Sequence, residues 1–184
     1  ARRGLVEELT RIGARNITVI REEPFALSQT NTKDSALRAL RELPKGGMLI
    51  AHLHGNDGFL FLDGGEHARG QPPTSFLSDP LSSWRIAQAF IDRAKEQQRN
   101  GIPYSLPLEE RSIVLLHSCG SGNTIRAIAR EFKILAEREG IPLDAMPILI
   151  STASPGQDSY SSLDDRYGSQ FFRALLNQGH GVRL

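Results

Sequence analysis

The amino-acid sequence predicts an α/β fold whose sheet is mainly parallel. Amphipathic helical patterns alternate along the chain with apolar runs that have the length of strands. Strands in the middle of a parallel sheet read as continuous apolar runs, because helices cover both faces of the sheet. A chain of 184 residues has the size of one domain, so we expect residues 1–184 to form a single domain.

The predicted elements can be assigned in chain order. Strands are predicted from apolar or β-branched runs at Asn16–Ile20, Met48–His52, Phe59–Asp63, Ile113–Leu116 and Pro147–Thr152, and at the terminal His180–Leu184. Helices are predicted from apolar spacing at Arg3–Ala14, at Ser35–Leu43, from Ser83 as a cap, from Ile125 to about Glu139, and from Asp165 to Gly179. Because a helix opens the chain, we expect the first strand of the sheet upstream of Ala1.

The segment between the second helix and the third contains a turn signal and a long loop. Asn56–Gly58 has the Asp-Gly pair typical of a β-hairpin. Residues 64–83 and 99–110 are rich in Gly, Pro or Ser and show no period, so they are predicted to be mobile loops. Trp84 and Phe90 follow the helical spacing after this loop and are expected in the core.

The composition excludes several classes of function. Lys and Arg number 22 against 21 Asp and Glu, and the resulting net charge of +1 argues against a nucleic-acid or membrane partner. No apolar run approaches the length of a transmembrane helix. A single cysteine cannot form an internal disulfide, so any role of this residue depends on its thiol.

The residues Ser112–Thr124 form the stretch around which the rest of the prediction is arranged. The apolar run Ile113–Leu116 leads to Cys119, and the glycine-rich turn Gly120–Gly122 precedes a helical pattern. Open α/β sheets place their ligands at such strand ends. A thiol beside a helix N-terminus is well placed to act as a thiolate, because the helix dipole favours negative charge there.

A second strand end carries a histidine that fits the same chemistry. The apolar run before His54 leads directly to Gly55, as the other run leads to Cys119. If the two strands are parallel neighbours, His54 and Cys119 face each other across a crevice. Nucleophilic catalysis needs such a thiolate and an imidazole that supplies a proton to the leaving group. The backbone N–H groups of Gly55 and Cys119 are the predicted oxyanion hole.

These residues resemble the caspase-like cysteine peptidases, and most closely the branch of legumain and the catalytic subunit of the GPI transamidase. In that branch, a strand ends in His-Gly and is followed by Asn or Asp, Gly and a short apolar strand, as in His54–Asp63. A second strand ends in the cysteine, here Cys119. A later strand ends in small residues and then an acidic residue and a serine, as in Ile150–Ser161. The resemblance covers residues 3–176 apart from the two loops.

The resemblance implies a caspase-like three-layer α/β/α sandwich and a cysteine endopeptidase that acts on a protein or peptide substrate without metal or cofactor. It makes Cys119 the nucleophile, His54 the general acid/base and Gly55 an oxyanion donor. The residues implied in substrate binding lie beside the nucleophile and in the loop 154–161, and they are His117, Ser118, Ser154, Asp158 and Ser159.

One position departs from the pattern of that branch. An acidic residue usually stands two positions before the nucleophile, and this chain has His117 there. Because of this departure, the sequence does not predict which residue the enzyme accepts immediately before the scissile bond. Self-processing is common among the resembled peptidases, and it would fall in residues 64–83 or 99–110. Transfer of the acyl group to an amine instead of water, and an activating ligand or partner, both stay open.

Three other interpretations compete with the peptidase. Gly120–Thr124 before a helix also resembles the FMN phosphate loop of flavodoxins, in which hydroxyl and N–H groups hold a phosphate. A caspase-like scaffold without catalytic activity is a second interpretation. The third is a metal site formed by His52, His54 and Cys119, which is disfavoured because no further ligand cluster accompanies them.

Overall fold

The structure is a computed structural model that describes residues 7, 9–11, 13, 29–52, 54–56, 59–61 and 81–157, with the backbone alone for residues 29–32, 52, 54–56, 59 and 61. The described residues belong to two compact units, one with the described residues up to 13 and one with those from 29 to 157. In the first unit, Glu7 and residues 9–11 are helical, as the pattern over Arg3–Ala14 predicts. The single domain stays a prediction, because so little of this unit is described.

The second unit contains three helices and six strands among its described residues. In chain order these are α1 (Gln29–Arg41), β1 (Met48–His52), β2 (His54–Asn56), β3 (Phe59–Phe61), β4 (Leu81–Ser82), α2 (Ser83–Arg99), β5 (Ile113–His117), α3 (Ser121–Glu139) and β6 (Ile148–Ser151). Two 3-10 turns, Leu108–Glu110 and Leu143–Ala145, precede β5 and β6. No helix in the described part of the chain is long and apolar enough to cross a membrane.

Three of the strands form a parallel sheet in the order β1-β5-β6, with β5 in the centre. Met48 pairs with Ile113 and His52 with His117, so β1 and β5 begin and end at the same level. Ile113 pairs with Ile148 on the other side of β5. Parallel neighbours need a crossover connection, and α2 and α3 lie in the two connections. The described residues therefore confirm an α/β fold with a parallel sheet.

The other three strands form a small antiparallel sheet in the order β2-β3-β4. Asn56 pairs with Phe59, so β2 and β3 are the two strands of the hairpin that Asn56–Gly58 predicts. β4 at Leu81–Ser82 lies inside the stretch 64–83 that was predicted as a loop, and this part of the prediction is wrong. Two residues are too few to give a period, so the strand forms because β3 supplies its hydrogen-bonding partner.

The described helices share one core with one face of the parallel sheet. The core takes apolar residues from each helix, namely Leu37 and Leu40 of α1, Phe90 and Ile91 of α2, and Ile128 and Phe132 of α3. Val114 and Leu116 of β5 join this core, whereas Leu115 between them does not. Successive side chains of a strand point to opposite faces, so Leu115 lies on the second face. Helices on that second face stay a prediction.

The two long helices begin and end at residues with clear capping roles. The Oγ of Ser82 accepts a hydrogen bond from the N–H of Arg85 at 3.4 Å and caps α2. The predicted cap, Ser83, is instead the first helical residue, so the prediction is wrong by one position. α3 ends at Gly140, whose φ of +67° favours glycine, and this agrees with the end predicted near Glu139.

The predicted core is correct for α2 but not for its first turn or for the outer strands. Phe90 is fully buried, as predicted, whereas Trp84 is 49% exposed and does not belong to the core. Met48 of β1 is 52% exposed and Ile150 of β6 is 37% exposed, although both runs predict buried strands. Among the described strands β1 and β6 each have only one neighbour, β5, and therefore bury less surface than the central strand.

Several predicted elements lie outside the described residues. They are the strand Asn16–Ile20, the helix Asp165–Gly179, the terminal strand His180–Leu184 and residues 64–80 of the first loop.

The second loop, 99–110, is described and is held by backbone hydrogen bonds at its end. The N–H of Glu110 donates to the carbonyl of Pro107 at 2.9 Å, and the N–H of Gly46 donates to the carbonyl of Glu110 at 2.8 Å. The mobility of this loop stays a prediction.

Candidate functional site

The three parallel strands bring their carboxyl ends to one edge of the sheet, which we call the carboxyl edge. It consists of residue 52 at the end of β1 and residues 54–56 of β2, residues 117–122 at and after the end of β5, and residues 152–157 after β6. The prediction that the strands before His54 and Cys119 are parallel neighbours is confirmed. Because β5 is central, Cys119 follows a strand that is flanked by β1, which precedes His54, and by β6, which precedes the predicted pocket loop.

Cys119 lies in a tight turn between β5 and α3. The N–H of Ser121 donates to the carbonyl of Ser118 at 3.2 Å, and Gly120 closes the turn with a φ of +62°. Cys119 is half-buried and comes two residues before the 19-residue helix α3. The partial positive charge at the N-terminus of such a helix favours an anion at this position. The predicted strand and the turn at Gly120 are confirmed, but the helix begins at Ser121, four residues before the predicted Ile125, so Ser121 and Gly122 belong to the helix.

The loop after β6 is fastened to the turn that carries Cys119. The N–H of Gly120 donates to the carbonyl of Gln157 at 3.0 Å. The N–H of Ala153 donates to the Oγ of Ser121 at 3.1 Å, in a buried position. Two hydrogen bonds at opposite ends of residues 153–157 thus hold this loop against the first turn of α3.

A glycine makes this close approach sterically feasible. A Cβ at Gly122 would lie 2.6 Å from the backbone nitrogen of Pro155 and 2.8 Å from the carbonyl oxygen of Ala153. Real Cβ atoms do not approach backbone atoms so closely, and neither atom belongs to a flexible side chain. Gly122 therefore allows the loop after β6 to lie directly on α3.

The loop itself contains a turn that exposes Ser154. The N–H of Gln157 donates to the carbonyl of Ser154 at 3.1 Å, and Gly156 has a φ of +74°, as a Pro-Gly turn of type II requires. Ser154 is exposed at the carboxyl edge, where the prediction places a pocket wall. Asp158 and Ser159, the other predicted residues of that wall, lie outside the described residues.

His117 and Ser118 are both buried, in contrast with the exposure that contact with a substrate requires. His117 is 2% exposed, and its Nδ1 lies 2.6 Å from the Oγ1 of Thr152. Ser118 is 1% exposed, and its Oγ has no hydrogen-bond partner among the described residues. Their predicted roles in substrate binding gain no support from these positions. His117 instead joins the end of β5 to the residue that follows β6.

Gly55 lies in β2, and its register partner in the antiparallel ladder is Leu60 of β3. The backbone of His54 begins β2, and β2 lies close to α3, the helix that follows Cys119.

The described loop after Cys119 is not arranged to hold a phosphate. The side chains of Ser121 and Thr124 are fully buried. The Oγ of Ser121 accepts from the N–H of Ala153, and the Oγ1 of Thr124 donates to the carbonyl of Gly120 at 3.3 Å. Hydroxyl groups used in this way do not support the flavodoxin interpretation.

Within the described part of the chain, no three His, Cys, Asp or Glu residues form a metal site, and the side chains of His52 and His54 lie outside that part.

Sequence reasoning missed the residues that fasten the edge together. Thr152 was predicted only as the end of a strand, and Ser121 only as part of a glycine-rich turn. Both contribute a hydroxyl to a neighbouring segment. A hydroxyl residue at a strand end or in the first turn of a helix indicates that such a hydrogen bond can form. Its partner lies more than thirty residues away in the chain, so the spacing of residues does not predict which group it binds.

No protein-family model, curated protein or solved structure matches this chain at a significant level. The functional argument therefore depends on the residues and geometry of this chain.

Proposed function

We propose that this chain is a cysteine endopeptidase of caspase-like architecture, with Cys119 as nucleophile and His54 as general acid/base. The observation that most supports the proposal is the pairing of β1 with β5. His52 and His117 are register partners, and His54 and Cys119 each follow their partner by two residues. Two segments that leave neighbouring strands at the same level come from one edge of the sheet, as a dyad requires.

The surroundings of the dyad also support this function. His54 begins the hairpin of β2 and β3, which agrees with the motif of the resembled branch. The loop after β6, which the resemblance makes a pocket wall, lies against the turn of Cys119 through Gly120 and Ser121. The three segments of the resemblance therefore lie along one sheet edge, although they are far apart in the chain.

The proposed reaction proceeds through a thioester. The Cys119 thiolate attacks the peptide carbonyl carbon, and the oxygen takes the negative charge beside the backbone N–H of Gly55. The carbon–nitrogen bond then breaks, and the His54 imidazolium gives its proton to the leaving amine. Water, deprotonated by the neutral His54, attacks the thioester and releases the carboxylic acid and the thiol. An amine in place of water would form a new peptide bond.

Helix α3 contributes to the first step through its position. Its N-terminus follows Cys119 at once, and its dipole stabilises negative charge on the sulfur. Cys119 is half-buried, whereas the neighbouring side chains of His117 and Ser118 are buried. In this proposal the substrate side chain is met by the exposed Ser154 and by the residues that follow it.

The test is a mixed peptide library incubated with the protein and with its variants, and read by mass spectrometry. Cys119→Ala is expected to abolish cleavage, by about 10⁴-fold or more, since it removes the attacking atom. His54→Ala is expected to reduce cleavage by about 10²- to 10⁴-fold, since it removes proton transfer. His180→Ala is the matched control, because it also removes an imidazole and the sequence analysis assigns no catalytic role to His180.

Each variant must unfold at the same urea concentration as the parent, so that loss of activity is not loss of folding. Normal turnover by a folded Cys119→Ala or His54→Ala variant would refute the dyad. A folded parent that cuts no peptide in the library and does not react with a thiol-directed peptide probe favours the scaffold without catalytic activity. A yellow protein with flavin absorbance near ~450 nm would favour the FMN interpretation instead.

A further inference from the structure

Ser121 is a hydroxyl residue at the start of a helix, but its hydroxyl does not cap that helix. The residue before it, Gly120, is the N-cap of α3 and makes no side-chain hydrogen bond. Helices commonly begin with a hydroxyl that accepts from one of their own N–H groups, as Ser82 does for α2 through the N–H of Arg85. The Oγ of Ser121 accepts instead from the N–H of Ala153 in the loop after β6. The hydroxyl of Ser121 therefore serves this loop and not its own helix.

The hydrogen bond between Ser121 and Ala153 is closed to solvent. Ser121 is fully buried, and Ala153 is buried as well. A buried N–H group that loses its acceptor carries the full cost of desolvation, because water does not reach it to replace the lost bond. Without the Ser121 hydroxyl, the loop therefore has to move until water reaches the N–H of Ala153.

This bond fixes the segment to which the proposed function gives the substrate side chain. Ala153 directly precedes the exposed Ser154, and Ser154 begins the Pro-Gly turn that ends at Gln157. Ser121 lies two residues after Cys119, in the first turn of α3. The anchor of the loop and the proposed nucleophile therefore lie within three consecutive residues of the chain. The position of Ser154 relative to the thiol depends on this anchor.

We propose that Ser121 is a positioning residue that fixes the substrate-binding loop relative to the thiol of Cys119. The inference rests on the proposed peptidase function, and it adds a residue that touches neither the substrate nor the reacting atoms. Because Ser121 acts through Ala153, its loss moves the loop but leaves the nucleophile in place. Binding of the substrate side chain is then weakened, whereas attack by the thiol is retained.

The experiment compares Ser121→Ala with the parent on a peptide that the library shows to be cleaved. One hydrogen bond is a small part of the stability of a domain, so the variant is expected to fold. Its KM is expected to rise by about tenfold while kcat stays within about threefold, because a contact made equally in the ground state and the transition state is lost.

Two further measurements separate the loop from the thiol. The amide of Ala153, followed by hydrogen exchange and NMR, is expected to exchange about tenfold faster or more in Ser121→Ala, because its acceptor is gone. Alkylation of Cys119 by iodoacetamide is expected to keep its pH profile, because the N-terminus of α3 beside the thiol is retained. Neither measurement needs a peptide substrate.

Thr124→Val is the matched control, because it removes another fully buried hydroxyl from the first turn of α3. The Oγ1 of Thr124 donates at 3.3 Å to the carbonyl of Gly120. That carbonyl still accepts from the backbone N–H of Thr124 at 3.0 Å when the hydroxyl is gone. Thr124→Val is therefore expected to leave both KM and the exchange of Ala153 unchanged.

An unchanged KM in Ser121→Ala, or an equal rise in Thr124→Val, would overturn the proposal and leave the peptidase in place. A shifted pH profile of alkylation would also overturn it, since Ser121 would then act on the thiol and not on the loop. So would an Ala153 amide that exchanges as fast in the folded parent as in an unfolded chain, a result that needs no variant. A parent that cleaves no peptide refutes the peptidase itself, and the positioning role falls with it.

Discussion

The two ends of the parallel sheet are held together by different means. Where β5 begins, Arg93 and Ser112 join α2 to the chain before β1, through the carbonyls of Leu43 and Pro44. These groups are buried and the bonds are made by charged or hydroxyl donors. Where β5 ends, the contacts are made mostly by backbone atoms across glycine turns, as at Gly120.

The two kinds of contact have different consequences for the two ends of the sheet. Side-chain hydrogen bonds that are buried, and in part charged, fix the strands of the sheet relative to α2. Turns of glycine and short hydroxyl residues bring segments together without covering the space above them. A thiol can therefore stay half-buried at the carboxyl edge, while Ser112 at the other end of the same strand is 1% exposed.

The largest effect on stability is expected at the amino end. Ser112→Ala removes the acceptor of a bond from Arg93 and the donor of a bond to the carbonyl of Pro44 at 2.7 Å. Loss of a buried hydrogen bond to a charged group costs about 2–3 kcal/mol, which urea unfolding will measure. Peptide cleavage per folded molecule should not change. Ser105→Ala, at an exposed serine, should cost less than about 0.5 kcal/mol, and equal losses for the two variants would contradict the comparison.

A smaller loss of stability and a larger loss of activity are expected at the carboxyl edge. Gly122→Ala places a Cβ against Pro155 and should lower the free energy of unfolding by about 2 kcal/mol, since the loop must move. The same movement displaces the exposed Ser154, so the KM for peptides should rise. The control is Arg126→Ala, an exposed position on the same helix. A Gly122→Ala protein more stable than the parent would mean that helix propensity outweighs the contact.

The smallest effect is expected at the bond between the ends of β5 and β6. Thr152→Val keeps the shape of the side chain but removes the Oγ1 that lies 2.6 Å from Nδ1 of His117. A neutral hydrogen bond contributes about 1 kcal/mol, so calorimetry should show a midpoint about 2–4 °C lower. Thr152→Ser keeps the hydroxyl and should retain most of the stability. A Thr152→Ser variant as unstable as Thr152→Val would show that packing of the methyl group matters instead.

Prediction from sequence was accurate where one segment contained all the information. The strand β5, the turn at Gly120 and the helix α3 were predicted within a few residues, because apolar run, glycine and helical period follow one another directly. Trp84 was placed in the core because it fits the helical period of α2. Trp84 lies in the first turn of α2 and is exposed. The helical period predicts which face of a helix is apolar, but it does not predict which turns of that face are covered by other elements.

In the candidate site too, the features that depend on one segment were predicted, whereas those that depend on distant segments were not. Cys119, His54 and the loop after β6 were singled out from residue type and from their position after apolar runs. The burial of His117 and Ser118 could not be predicted, because it depends on which face of β5 is covered and on the partner Thr152. The burial of Arg93 could not be predicted either, since an arginine in a helical pattern is usually solvated.

The sequence by itself determined the class of fold, the order of the described helices and of the three parallel strands, and the two strand ends that precede a thiol and an imidazole. These properties follow from local periodicity and from turn residues, which act within a few positions of the chain. Only the tertiary structure decided that β5 lies between β1 and β6, that Gly122 contacts Pro155, and that Arg93 is buried beside Ser112. Such contacts join residues that are far apart in the chain, and they arise from the packing of helices on the sheet.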